Sequence, residues 1–127
     1  IDLDWMVPAP AQGAMLVVAK EEDTFCREAL AALNHRESEI CVHIERQFLR
    51  TLEGGCTAPI GALATLEDNE IRFKGVLFAV DGKQKFEIEK AVPVSQSGTL
   101  GTECAEEILK NGGADLMRLI KASTGKA

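Results

Sequence analysis

Residues 59–92 decide the fold, and they read PIGALATL, EDNE, IRFKGVLFA, VDGKQ and KFEIEKAV in that order. Partial alternation between apolar and polar residues predicts strands over 59–66, 71–79 and 85–92. Asp68-Asn69 and Asp81-Gly82 supply tight turns between the strands, and the second pair is a strong hairpin signal. The stretch therefore predicts an antiparallel meander of three strands.

The predicted sheet has one apolar face and one wet face. Its apolar face is expected to carry Ile71, Phe73, Leu77, Phe86 and Ile88. Lys85, Glu87 and Glu89 are expected to point to water. A sheet of this kind needs helices on its apolar side.

Two helices are predicted before the sheet. The first covers about 23–34, with Asp23 as N-cap and a stripe of Phe25, Ala29, Ala32 and Leu33. The second covers about 36–53, where Asn34 followed by Glu37 resembles a capping box. Its apolar face is Ile40, Cys41, Ile44, Phe48 and Leu52. Gly54-Gly55 is expected to end it.

Two more helices are predicted after the sheet. One has a stripe of Leu100, Cys104, Ile108 and Leu109 and ends at residues 111–113, which are Asn-Gly-Gly. The other, shorter helix has a stripe of Leu116, Leu119 and Ile120. The order of elements predicts an α+β fold, a three-stranded antiparallel sheet with helices packed on one face.

The N-terminal stretch differs from the rest of the chain. Pro8 and Pro10 exclude a helix there, and the apolar run 15–19 predicts one short buried strand. Such a strand needs neighbours, so residues 1–22 are interpreted as a strand and arm from the end of a preceding domain, and 23–127 as a C-terminal α+β domain. Because the chain opens at Ile1 without an initiator Met, we expect it to be a piece of a longer protein.

Composition narrows the function. The chain has 127 residues, 46% of them hydrophobic and 27% charged, and a net charge of −6, which disfavours nucleic-acid binding. No apolar stretch is long enough to cross a membrane and no signal peptide is visible, so a cytoplasmic location with free thiols is predicted. Four dispersed cysteines and two histidines, none at ligand spacing, argue against a metal site.

Cys56 is the most informative cysteine. It lies between a double glycine and a strand that begins at proline, so it is expected in an accessible loop, whereas Cys26, Cys41 and Cys104 fall on helical stripes. The negative end of a helix dipole disfavours the thiolate. Cys56 therefore suits an attachment point better than a cycling nucleophile, although an ordinary loop thiol is an equal alternative.

Three further motifs each have two interpretations. Arg46 lies off the apolar stripe, and is either a solvated arginine paired with a carboxylate or an anion clamp. Gln12-Gly13-Ala14 is either a turn that enters a strand or a close backbone approach to a ligand. Neither His35 nor His43 is assigned a catalytic role.

The same residues resemble a known family. Asn34-His35-x-Glu37, Glu45-Arg46, Leu52-Glu53-Gly54-Gly55-Cys56 and Pro59-Ile60-Gly61 look like porphobilinogen deaminase, also called hydroxymethylbilane synthase, and Gln12-Gly13-Ala14 fits as well. The resemblance spans almost all of the chain but covers only the C-terminal part of the family's sequence. The family has three domains, and the last is a three-stranded antiparallel sheet with helices on one face.

The resemblance implies a transferase of haem and tetrapyrrole biosynthesis. Family members join four porphobilinogen units head to tail, with loss of ammonia, into hydroxymethylbilane. They hold a dipyrromethane cofactor through a thioether to one cysteine, which by position is Cys56. Arg46 matches an arginine of the active-site cleft that binds pyrrole carboxylates. The full-length enzyme is expected to be a monomer whose partners are porphobilinogen and the growing pyrrole chain.

Departures from the family pattern carry their own expectations. Most members of the family that this chain resembles show Gly-Gln-Gly-Ala followed by a run that contains an acidic residue, whereas this chain has Ala11 first and Val18 in place of the acidic residue. The family's catalytic aspartate belongs to its first two domains, so this chain contains no catalytic residue and is expected to be inactive alone, with Cys56 unmodified. The alternative function is a small α+β binding or assembly module.

Overall fold

The computed structural model describes residues 5–52 and 59–124. Four helices, α1 (Thr24–Ala31), α2 (Arg36–Thr51), α3 (Leu100–Ile108) and α4 (Ala114–Thr124), accompany three strands, β1 (Ile60–Glu67), β2 (Glu70–Phe78) and β3 (Lys85–Pro93). A short 3-10 turn, Val94–Gln96, leads from β3 towards α3. From α1 onward, the predicted order of two helices, three strands and two helices is confirmed.

The sheet is an antiparallel meander in the order β1-β2-β3. Ile60 pairs with Leu77 across the first ladder, and Ile71 pairs with Val92 across the second. Asp68 and Asn69 turn the chain with φ values of 49° and 61°, a conformation that these two residue types tolerate. Both predicted turns are therefore present, and the second has Gly82 at φ 71°.

Helices α2 and α3 cover the apolar face of the sheet. Phe48 of α2 is completely buried against Phe73 of β2, with ring centroids 5.1 Å apart. Gly75 lies beneath Phe48, since a Cβ there would be 2.6 Å from its ring. The predicted apolar residues of the sheet, α2 and α3 are largely confirmed as the core, which contains Ile44, Phe48, Leu52, Ile71, Phe73, Leu77, Ile88, Leu100, Cys104 and Ile108.

The chain turns sharply between α3 and α4. Gly112, with φ 115°, breaks the helical path where the sequence predicts an end. Helix α4 buries Leu116, Met117 and Ile120, whereas Leu119 is 67% exposed. The prediction of Leu119 in the buried stripe is wrong, because the face that meets the core runs through Met117 instead.

The N-terminal third corrects three predictions. Residues 14–20 form no strand and are exposed, because no strand of the described chain lies beside them to accept their hydrogen bonds. Helix α1 is capped by Asp23 as predicted, but it ends at Ala31 and buries none of its residues. The N-cap of α2 is His35, whose side chain accepts from the Ser38 amide, rather than Asn34.

Candidate functional site

A groove of about 750 Å³ separates the N-terminal segment from α2. One wall is formed by residues 11–17, and the other by α2 with the end of α1. The α2 wall includes His35, Glu39, Cys41, Val42, His43, Glu45 and Arg46. The groove therefore brings together two motifs that are separate in the sequence, Gln12-Gly13-Ala14 and Glu45-Arg46.

Residues 9–14 form a compact double turn at one end of the groove. Gln12 donates its amide to the Ala9 carbonyl at 3.1 Å, and Ala14 donates to Ala11 at 3.2 Å. Both Ala11 and Gly13 have positive φ, at 58° and 82°. Nothing lies within 4 Å of the place where a Cβ on Gly13 would be, so backbone conformation explains this glycine. The turn predicted at this motif is present, but it enters no strand.

Glu45 lies at the base of the groove and is 6% exposed. Its Oε2 accepts the Ala11 amide at 2.7 Å, and its Oε1 accepts the Ala64 amide at 2.8 Å. Burial raises the pKa of the Glu45 carboxyl, and the two backbone amides oppose that shift because they favour the charged form. From the sequence alone, Glu45 has no role of its own beyond its place in the Glu45-Arg46 motif. The available signal is its position, because Glu45 follows Ile44 and lies one helical turn before Phe48 and Leu49, close to the apolar face of α2.

Arg46, next in the sequence, is exposed on the α2 wall of the groove. Within residues 5–52 and 59–124 it forms no ion pair, since the salt bridges there join other residues. No ion pair within these ranges therefore supports the interpretation of Arg46 as a solvated arginine paired with a carboxylate. Arg46 contributes a cationic side chain to the lining of the groove.

The histidines and the described cysteines have structural surroundings. His35 caps α2, and His43 Nε2 lies 3.1 Å from Gln47 Nε2. Burial raises the pKa of the Cys104 thiol to about 11, and burial likewise raises that of half-buried Cys41. Cys26 hydrogen-bonds to Asp23, which raises its pKa. None of these three thiols is activated for attack.

Cys56 lies in residues 53–58, outside the described residues, as do Gly54 and Gly55. The chain on either side is anchored, because Leu52 at the end of α2 and Ile60 at the start of β1 are both buried. Val18, where the family resemblance leads one to expect an acidic residue, is exposed and is not among the residues that line the groove.

Among the residues that the structure describes, no group of three or more His, Cys, Asp or Glu side chains is placed to hold a metal ion. None of the described helices combines the length and apolarity needed to cross a bilayer.

Comparison with known proteins decides the family. The family described as "Porphobilinogen deaminase, C-terminal domain" matches residues 39–110, which run from the first turn of α2 to just beyond α3. This chain belongs to the porphobilinogen deaminase family. The match includes Glu45, Arg46, the stretch that carries Cys56, and the whole three-stranded sheet.

Individual porphobilinogen deaminases match over nearly all of the chain. The protein of that name from Thermus thermophilus is 39% identical over 122 residues, which are 95% of this chain and 40% of that protein. Its counterpart from Pelobacter propionicus is 36% identical over 117 residues, 92% of this chain and 38% of the relative. The chain therefore spans about two fifths of the length of these curated relatives.

Proposed function

We propose that this chain is the cofactor-anchoring part of a hydroxymethylbilane synthase, which joins four porphobilinogen units with release of ammonia. The match to the porphobilinogen deaminase C-terminal domain over residues 39–110 is the observation that carries this proposal. In this proposal, Cys56 holds the dipyrromethane cofactor through a thioether, and Arg46 binds a pyrrole carboxylate. A dipyrromethane so held supplies the primer to which pyrrole units are added.

The described groove fits one carboxylate of such a group. Arg46 lines the groove and takes part in none of the ion pairs among the described residues, and a guanidinium binds a carboxylate through a two-pronged pair of hydrogen bonds. The carboxylate at the base of the groove, Glu45, is already occupied by two backbone amides and does not neutralise Arg46. Further pyrrole carboxylates need cations from outside this wall.

Cys56 is the best attachment point among the four cysteines. Cys104 is fully buried in the core with its pKa raised to about 11, and Cys26 and Cys41 are partly buried on helices. A covalently held pyrrole chain needs a thiol that a bulky group can approach. The Leu52–Cys56 motif, with its two glycines, satisfies that need by its sequence.

The 127-residue chain alone is proposed to be inactive. The one buried carboxylate among the described residues, Glu45, accepts two backbone amides and is not free to move protons. The chain also spans about two fifths of its relatives. We expect no tetrapyrrole formation from porphobilinogen by this chain, and an intact mass without a dipyrromethane adduct on Cys56.

The decisive experiment uses the longer protein that contains this chain. Cys56→Ser should abolish both the dipyrromethane mass increment and porphobilinogen consumption, because the thioether cannot form. Cys26→Ser is the matched control and should retain both. If Cys56→Ser keeps the increment and the activity, the attachment is wrong, and a binding module with Cys56 as a loop thiol becomes the better account.

Arg46 has its own test in the same protein. Arg46→Gln should raise the KM for porphobilinogen about tenfold, because a carboxylate loses its charged partner. Arg72→Gln is the control, since Arg72 is an exposed arginine paired with Glu70 on β2, away from the groove. An unchanged KM in Arg46→Gln would remove Arg46 from the binding role.

A further inference from the structure

A strap of residues 7–14 wraps around the free edge of β1. On one side of the sheet it passes over Gly61, where a Cβ would lie 2.8 Å from the Val7 carbonyl oxygen and 2.9 Å from Val76. At the edge, the Pro8 carbonyl accepts the Ala62 amide at 2.8 Å. On the helix side, the Ala11 amide reaches Glu45 at 2.7 Å. Three separate contacts therefore tie the strap to the domain.

Glu45 binds the strap and the edge of β1 at the same time. Ala62 and Ala64 are two residues apart, so their amides point to the same side of β1, away from β2. The strap satisfies the first amide and the carboxylate of Glu45 satisfies the second, while the other oxygen of Glu45 accepts from the strap. One carboxylate thus joins α2, the β1 edge and the strap.

The charge of Glu45 has no other partner in this junction. Residues 7–18 and 60–66 contain no titratable side chain, and Glu67, the last residue of β1, is exposed, so neither the strap nor the part of β1 beside the strap brings a charge to Glu45. The titratable or charged neighbours belong to α2, namely Cys41, His43 and Arg46, and the groove adds His35 and Glu39. Only a carboxylate offers an acceptor to each of two amides, because a glutamine side chain would offer one acceptor and one donor.

We propose that Glu45 is a positioning residue that clasps the strap to the β1 edge and thereby sets the 11–17 wall of the groove opposite Arg46. The clasp itself follows from the three contacts of the strap. Its effect on substrate rests on the proposed function, since it requires a pyrrole carboxylate in the groove. Glu45 does not touch the substrate in this proposal.

The clasp is tested in the 127-residue chain by amide hydrogen exchange. Glu45→Gln should speed exchange at Ala11 or Ala64 about tenfold, because one of the two amides loses its acceptor. Amides of α3 should keep the protection they have in the unsubstituted chain. Glu106→Gln, which removes an exposed carboxylate from α3, should change neither. Unchanged exchange at both alanines, or equal acceleration throughout the chain, would overturn the clasp.

A measurement on the unsubstituted chain gives an independent test if Glu45→Gln does not fold. As the pH is lowered, the amide proton shifts of Ala11 and Ala64 should titrate together with the side-chain carboxyl carbon of Glu45 in NMR spectra. Both amides donate to that one group, so a common midpoint is required. Different midpoints, or no titration of the amides, would contradict the clasp.

The positioning role is tested in the longer protein by separating KM from kcat. Glu45→Gln should raise the KM for porphobilinogen about tenfold with kcat within about twofold, because the groove wall moves while the reacting groups do not. A lower yield of active enzyme with unchanged KM would reduce Glu45 to a structural residue. If the unsubstituted longer protein does not consume porphobilinogen, the proposed function fails, and the exchange experiment still decides the clasp.

Discussion

Helices α1 and α2 follow one another in the chain and both carry an apolar stripe, but only α2 buries it. Phe48 of α2 is 0% exposed, whereas Phe25 of α1 is 80% exposed. The difference does not lie in how the helices begin, because Asp23 and His35 cap the two helices in similar ways. An apolar stripe specifies a helix, and the surface opposite the stripe decides whether it is buried.

The largest expected effect on the free energy of unfolding comes from replacing the same residue type in both helices. Phe48→Ala should lower the free energy of unfolding by about 3–5 kcal/mol, because it leaves a cavity against Phe73. Phe25→Ala should change it by less than about 0.5 kcal/mol. Urea unfolding of the two variants measures the difference. Similar losses in both would mean that α1 is packed as tightly as α2.

The second test concerns the close contact between α2 and α3. A Cβ on Gly101 would lie 2.0 Å from the Ile44 carbonyl oxygen, so Gly101→Ala must separate α3 from α2. We expect a loss of about 1–3 kcal/mol or more. Gly98→Ala is the control, since nothing lies within 4 Å of a Cβ there. Equal midpoints in thermal unfolding for the two variants would show that the helices do not cross at Gly101.

These two regions also mark how far the fold could be predicted from the sequence. The sheet, α2 and α3 followed from alternation, helical stripes and turn residues, because both partners of each contact lie within residues 36–109. The run 15–19 was predicted as a buried strand by its apolar character alone, and Met15 is instead 97% exposed. Periodicity gives the face of an element but does not supply the partner that covers it.

The candidate site was predictable in part for a related reason. The sequence points to Arg46 because it lies off the apolar stripe, and the structure places it on a groove wall. Glu45 was missed as a separate feature, since a carboxylate next to an arginine on a helix is usually solvated. Its role depends on the amides of Ala11 and Ala64, which are distant in sequence and have no side-chain signature. The attachment at Cys56 stays a prediction.

A smaller effect is expected in the strap. Like α1, the strap belongs to the N-terminal part of the chain, but it is hydrogen-bonded to α2 and β1. Ala11 has φ 58°, a left-handed conformation that costs a residue with a Cβ about 1–2 kcal/mol. Ala11→Gly removes that strain but adds backbone freedom to the unfolded chain, so a net gain of about 0.5–1 kcal/mol is expected. Ala14→Gly, without the positive φ, should not stabilise. Chemical denaturation measures both, and a loss in Ala11→Gly would contradict the strain.

The smallest expected effect is the pH dependence that Glu45, at the contact between the strap and α2, adds to the free energy of unfolding. Burial raises the pKa of Glu45 above its ordinary value of 4.5. A carboxyl with a raised pKa in the folded state contributes stability that is fully present below its unfolded pKa and is lost as the pH rises through the folded pKa. The stability of the unsubstituted chain relative to Glu45→Gln should therefore be greater near pH 4 than near pH 7.

The comparison with Glu45→Gln isolates this effect from the rest of the chain. Lys85 and Lys74 lower the pKa of Glu87, whose contribution has the opposite sign and is lost as the pH falls, but Glu87 is present in both proteins and cancels. Urea midpoints of the two proteins at each pH give the difference, and a difference that grows with pH would contradict the prediction. Because its pKa is raised, the charge of Glu45 lowers the free energy of unfolding at neutral pH. Its structural contribution therefore comes from the two backbone amides that it holds in position.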